Sequence, residues 1–340
     1  MRDSADKLIN ILSNKKVLFI ATKNRDYIRV VQEIELLRSV CASVKILSFP
    51  DKGYLKRIIK VYGYLIFGNI KEYDIVFIGF MPQMIVPFFR RKLAHKKIII
   101  DFFISVYDTL VDDRKVFSAS SLIGRILKRI DKKTINCADY IIADTNAHGR
   151  YFVNELEASE KKVLTLYLNA DKKVYYPRYV KRPEEYKGKF LVIYFGSILP
   201  VQGVEVILKC IYKLRKNNKI HFIMIGPINK KYKKVMTDNV TYINWLSQDK
   251  LAEYIAFSDL CLGGHFSDTI GKAARTIPGK VYIYKAMNKK VVLGDSPANR
   301  ELYEENKDNI YVPRGNAKAL ALTIIKEWEN TTNAEQISIS

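Results

Sequence analysis

Short, unbroken apolar runs alternate along this chain with stretches whose apolar residues recur every three or four positions. Runs of the first kind lie at 16–21 (KVLFIA), 44–49, 74–79 (DIVFIG), 97–101 (KIIID), 140–144 and 163–168, and each predicts a buried strand. Helical spacing falls at 28–40, 54–67 and 122–138, with a short helix from Ala147. Residues 171–189 are polar and charged, carry Pro177 and Pro183, and read as a linker between domains. The alternation then restarts. Strands are expected at 190–195, 220–225, 240–243, 260–262, 291–293 and 310–312. Helices are expected at 203–215, 249–257, from Pro278, and at 317–328. Strands that are apolar throughout belong to parallel sheets covered on both faces. The fold class is therefore α/β, with two Rossmann-like, doubly wound domains facing a cleft. The expected division is 1–172, a linker at 173–189, 190–316, a closing helix at 317–330 and a flexible tail at 331–340.

Composition narrows this picture. The chain has 340 residues, too many for one ordinary core and enough for two. Its apolar fraction of 48% excludes wholesale disorder. Lys and Arg number 57 against 35 Asp and Glu, a formal charge of +22, which points to an anionic partner. No apolar run approaches the length that spans a bilayer. The opening MRDSADKLINILSNKK lacks the apolar region of a signal peptide. Cys41, Cys137, Cys210 and Cys261 are isolated, without metal-ligand spacing, and read as reduced core residues of a cytoplasmic protein. Cations are interleaved with aromatics at 54–67 (YLKRIIKVYGYLIF), 88–92 (FFRRK) and 95–97 (HKK). That pattern suits an anionic membrane surface. No nucleic-acid-binding motif is legible, so nucleic acid is not the expected partner.

Candidate chemistry gathers at strand ends. The turn after Phe195 is GSILPVQG, from Gly196 to Gly203, and a helix follows it. Glycines there allow backbone amides to approach a phosphate, or simply make a tight loop. Lys272 and Arg275 precede Pro278 and Lys280 follows it, so cations surround a helix start. This is either an anion site or a solvated face. Asp101 ends a strand and Asp108, Asp112, Asp113 and Arg114 follow. Asp101 and Asp108 either position a hydroxyl or serve as caps and ion-pair partners. Of the four histidines, His265 and then His148 are best placed to take part in chemistry, and no pair has metal spacing.

Several segments together resemble the GT-B-fold, glycosyltransferase family 4-like enzymes of bacterial surface-polysaccharide assembly. They are FGSILPVQGVEVIL, NVTYINWLSQDKLAEYIAFSDLCLG and GKAARTIPGKVYIYKAMNKKVVLGDSPANREL, with DIVFIGF, IIIDFFISVYDTLVDDR and CADYIIADTNAHGRYF in the first half. The resemblance runs from about Lys16 to Trp328. It implies a retaining glycosyltransferase that moves a sugar from a nucleotide-sugar donor to a lipid-linked or oligosaccharide acceptor, lying on the inner face of the plasma membrane. Gly196, Ser197, Gln202 and Gly203 would lie near the diphosphate, and Asn244, Trp245 and Leu246 near the base. Lys272, Arg275 and Lys280 would surround the phosphates or ribose. Ser296, Asn299 and Glu301, with Asp295 and Arg300, would lie at the sugar and phosphate end. Asp101, Asp108 and His265 are the catalytic candidates, with no metal and no cofactor expected. Two departures stand out. Many members carry two glutamates where this chain has Arg275 and Ile283, and the loop's usual Arg and Lys correspond to Ser197 and Gln202. Isoleucine cannot accept a hydrogen bond from a ribose, so the alternative is a non-catalytic GT-B-like binding or scaffold protein of an assembly complex.

Overall fold

The computed structural model describes residues 2–228 and 232–339. The chain forms two compact units, Met1–Asn169 and Ala170–Ser340. In the first, six strands make one parallel sheet: β1 (Lys16–Ala21), β2 (Ser43–Leu47), β3 (Ile75–Phe80), β4 (Lys97–Asp101), β5 (Tyr140–Ala143) and β6 (Val163–Thr165), in the order β2-β1-β3-β4-β5-β6. Its helices are α1 (Arg2–Leu12), α2 (Ile28–Val40), α3 (Tyr54–Phe67), α4 (Val86–Leu93), α5 (Leu122–Asn136) and α6 (Asn146–Leu156).

The continuous apolar runs have the cause expected of them. Leu18, Ile20, Val76, Ile78, Ile98 and Ile100 point to one face, where they meet Val61 and Leu65 of α3 and Phe152 of α6. Val17, Phe19, Ile75, Phe77 and Ile99 point to the other and meet Leu8 and Leu12 of α1 and Ile34 and Leu37 of α2. Both faces are covered, so every position of β3 is buried.

The second unit repeats the plan with β7 (Phe190–Phe195), β8 (Ile220–Ile225), β9 (Val240–Ile243), β10 (Leu260–Leu262), β11 (Val291–Gly294) and β12 (Asn309–Val312). The order is β12-β11-β10-β7-β8-β9, all parallel. Its helices are α7 (Val204–Lys213), α8 (Gln248–Phe257), α9 (Lys272–Arg275), α10 (Gly279–Ala286), α11 (Pro297–Leu302) and α12 (Ala317–Ile339). Three aspartates fix strand register from the side. Asp74 accepts from the Lys16 amide, Asp139 from Ile98 and Asp259 from Leu191, at 2.8, 2.7 and 2.7 Å.

Several details depart from the sequence pattern. α1, α4 and α9 fall where no helix is read. Residues 173–189 hold only a 3-10 turn at Glu184–Tyr186, yet Tyr175 and Tyr186 are buried and Tyr186 packs on His221 and Phe257. The stretch is therefore seated on the second unit. α12 continues past Trp328 to Ile339, through the stretch read as a flexible tail. Thr331 and Thr332 donate to the carbonyls of Glu327 and Trp328, and no Gly or Pro interrupts the helix.

Candidate functional site

A doubly wound sheet binds ligands beyond the carboxyl ends of its strands, where the chain reverses its direction of winding. In the second unit, β8 and β9 are laid down on one side of β7, while β10, β11 and β12 lie on the other. The reversal falls between β7 and β10, so Gly196, just after β7, and Gly264, just after β10, stand at its mouth. Both have positive φ, +127° and +85°. The same conformation occurs at Gly203 (φ +63°), which opens α7, and at His265 (φ +55°). A Cβ on Gly203 would stand 2.4 Å from the Ser267 amide, so the two loops touch through bare backbone.

The Lys280 amine sits in this mouth. It would lie 3.6 Å from a Cβ on Gly196 and 3.0 Å from one on Gly264. It donates to Gln202 Oε1 at 2.5 Å and lies over the Tyr194 ring, 4.9 Å from its centroid. The Tyr194 hydroxyl donates weakly to the same amide oxygen at 3.4 Å. Lys280 is 7% exposed. Burial alone pulls its pKa down to about 7. It has no ion pair among the described residues, so the site is short of negative charge and close to a buried cation's limit. Gly196, Gln202, Gly203 and Lys280 thus form one cluster. His265 joins it from the β10 side and donates from Nδ1 to the Thr276 carbonyl at 2.9 Å.

The other candidates of this unit lie around the cluster. Ser197 is exposed at the rim of the loop. α9 carries Lys272 and Arg275, both half-buried, and packs against the Pro200–Gln202 turn and α11. Ser296 caps α11 by accepting from the Asn299 amide at 3.1 Å, and Asn299 donates to the Gly294 carbonyl at 2.9 Å. The Asn299 Oδ1 is buried and has no hydrogen-bond donor among the described residues. Asp295 and Arg300 form a two-pronged ion pair at 2.6 and 3.1 Å, and Glu301 is half-buried. Asn244, Trp245 and Leu246 follow β9, at the same edge of the sheet but two strands away from β7. Trp245 is 77% exposed there. Ile283 is buried on α10, so no carboxylate stands at that position.

In the first unit the structure gives the predicted carboxylates other work. Asp101 is 1% exposed, paired to Arg29 Nε at 2.5 Å and accepting from the Phe103 amide at 3.2 Å. It is an internal ion-pair member, not an open carboxylate. Asp108 is wholly buried in a π-helical turn, Asp108–Asp113, with its amide donating to Ser105. That turn hangs on Asp131, a residue the sequence pattern does not single out. Asp131 accepts from the Ser105 hydroxyl, the Tyr107 amide and Gln83, at 2.6, 2.9 and 3.0 Å. His148 is buried against Phe152, and its Nδ1 meets Asp144 at 2.6 Å. Tyr194 and Gly264 were also missed. A tyrosine inside an apolar strand reads as core, and a glycine's sign of φ is not written in its neighbours.

Comparison with known proteins bears on the family and the fold. Residues 189–330 match the sequence profile of the family described as Glycosyl transferases group 1. A search of the curated proteins finds no match. Among solved structures, HepE of Anabaena in complex with UDP and glucose is 13% identical, with a TM-score of 0.65 over 94% of this chain and 91% of that one. Sucrose-phosphate synthase from Thermosynechococcus elongatus is 11% identical, with a TM-score of 0.64 over 92% and 89%. A glycosyltransferase from Rickettsia africae is 12% identical, with a TM-score of 0.58 over 93% and 88%. Identities this low speak for the fold. Residues 189–330 therefore carry the signature of the group 1 glycosyl transferases, on a chain whose two units have the GT-B fold.

Proposed function

We propose that this protein is a glycosyltransferase whose second unit binds a nucleotide-sugar donor. The observation that carries the reading is the Lys280 amine between Gly196 and Gly264, at the winding reversal of the unit that matches the family. A diphosphate placed there meets the Lys280 amine, the amides of the glycine turns and the starts of α7 and α10. Lys272 and Arg275 stand on the adjoining helix. These groups neutralise a departing diphosphate without a metal, and the configuration of the transferred sugar is retained. The HepE complexes hold UDP, UDP-glucose or UDP and glucose, which makes uridine the first base to test.

The acceptor is assigned to the first unit and is lipid-linked. α3 exposes Leu55, Ile59, Ile66 and Phe67, and Phe88 of α4 stands beside Tyr62. Lys56, Lys60, Arg90 and Arg91 flank them, all exposed. No helix of the described residues is long and apolar enough to cross a membrane. Apolar side chains ringed by cations suit a peripheral position on an anionic leaflet, as in surface-polysaccharide assembly.

Thermal unfolding with UDP, GDP and ADP and their sugars tests the donor site. A hundredfold excess over Kd adds about 2.7 kcal/mol to stability, several degrees in Tm. We expect a shift with one base only. Lys272→Ala and Arg275→Ala should each lower transfer at least tenfold with the fold intact. No shift with any nucleotide at millimolar concentration rules the donor site out. A second reading rests on Ile283: a protein that binds the donor without turning it over. A nucleotide shift with neither transfer nor donor hydrolysis favours that reading.

A further inference from the structure

We propose that Lys280 is a proton-coupled phosphate ligand. Above neutral pH it rests mainly as a neutral amine latched to Gln202, and it takes up a proton from solvent when a nucleoside diphosphate enters the mouth between Gly196 and Gly264. The inference rests on the donor reading and concerns how that same site is regulated.

The geometry is unusual for a lysine. The side chain is 7% exposed, and no carboxylate is paired with it among the described residues. Its one hydrogen-bond partner among the described residues, Gln202 Oε1, is uncharged. A neutral amine has a proton to donate to that oxygen and a lone pair left over. No carboxylate on the surrounding elements, Glu205 in the first turn of α7 and Glu301 on α11 included, offsets the burial of the amine. Beneath it, burial pushes the Tyr194 hydroxyl far up. On its own helix Tyr284 is held well above its usual range by burial, and on β10 the Cys261 thiol is pushed up to about 12 by the same cause. His265 adjoins Gly264, and Lys272 and Arg275 on α9 are cations. The amine thus meets burial with nothing to offset it, which explains its depression to about 7.

A diphosphate reverses that balance. It brings negative charge into contact with the amine, through a wall in which both flanking residues lack a side chain. The ammonium form is then favoured and its pKa rises. Binding above pH 7 therefore takes up a proton: the neutral amine and one hydron become an ammonium, and no other bond changes.

Calorimetry of UDP binding, with GDP and ADP in parallel, reads this directly. At pH 8 the measured heat should depend on the buffer's ionisation enthalpy, reporting uptake of about 0.9 proton. At pH 6 that uptake should vanish or turn to release, since the amine is already charged while the nucleotide's own terminal phosphate, which titrates at about pH 6, gives up protons to the site. Between pH 7.5 and 9 the Kd should rise by about tenfold per pH unit. Lys280→Arg keeps a charge that does not titrate, so above pH 7.5, where the nucleotide is fully ionised, it should bind with no uptake and a flat pH profile. Lys280→Met, close in shape and apolar, should lose affinity at least tenfold at pH 6 while retaining its circular dichroism. UDP binding at pH 8 with no buffer dependence overturns the inference and leaves the donor site standing. Equal uptake in Lys280→Met or Lys280→Arg assigns the proton elsewhere and overturns it too. Failure of all three nucleotides to bind overturns the donor reading, and this inference with it.

Discussion

Asp101 illustrates how one side chain changes meaning once its partners are known. A carboxylate at a strand end suggests chemistry, and the strand end was legible from KIIID. Its partner was not, because Arg29 lies 72 residues earlier. Arg29 also donates to the Leu166 carbonyl at 2.5 Å, joining α2 to the segment after β6. Glu33, one turn further along α2, lies 4.0 Å from the same guanidinium nitrogen. Its carboxyl is pushed well above the usual range, first by burial and then by Asp101. One arginine serves two carboxyls, so Glu33 keeps its proton to higher pH in the folded protein than in the unfolded chain. The unfolded chain gives that proton up above about pH 4.5. The contribution of Glu33 to stability is therefore fully present below that pH and is lost as pH rises. Glu33→Gln keeps a donor towards Asp101 and cannot ionise. We expect its Tm, relative to the parent, to rise steadily from pH 5 to pH 8, by the equivalent of roughly 1–3 kcal/mol. A Tm difference that stays constant across that range would show that Glu33 is ionised when folded.

Loops at strand ends carry the candidate chemistry, and their shapes depend on backbone more than on side chains. Gly203 closes the Pro200–Gln202 turn and opens α7 in one left-handed step. Gly203→Ala would drive a Cβ to 2.4 Å from the Ser267 amide and 2.6 Å from the Phe266 carbonyl carbon. We expect a loss of about 2–4 kcal/mol in denaturant unfolding, together with loss of nucleotide binding. A change under 1 kcal/mol would mean the two loops can part freely. This explains the uneven legibility of the fold. Strands such as β3 and β7 announce themselves, since burial on both faces demands an unbroken apolar run. α4, eight residues with Pro87 in its first turn, and α9, four residues long, are too short for a period to emerge. The π-helical turn at Asp108–Asp113 is set by hydrogen bonds to Asp131 on α5, a contact between elements that no local pattern encodes. Likewise, the cations around Pro278 were visible as a group. Only the fold separates Lys280, buried in the mouth, from Lys272 and Arg275 on the flanking helix.

The net charge of +22 belongs to the molecule as a whole and acts at a distance. It favours approach to any anionic surface, and on the peripheral position proposed above the exposed apolar residues of α3 and α4 would decide where contact is made. Sedimentation with vesicles of anionic phospholipid should show binding that weakens as salt rises through 0.1–0.5 M. Ile59→Glu combined with Phe88→Glu should lower it at least tenfold. Equal binding to zwitterionic vesicles would exclude the electrostatic part of this account. A different consequence follows from α1. Leu8 and Leu12 share a core with Leu164 of β6, and Lys7 donates to the Lys161 carbonyl at 3.2 Å. The first helix of the unit thus packs beside its last strand. About 150 residues must be synthesised before the two can meet, several seconds or more at ordinary elongation rates. Through that interval α1 has only part of its native cover, from β1, α2 and β3, and the contact with β6 that ties the two ends of the unit together can form only at its close.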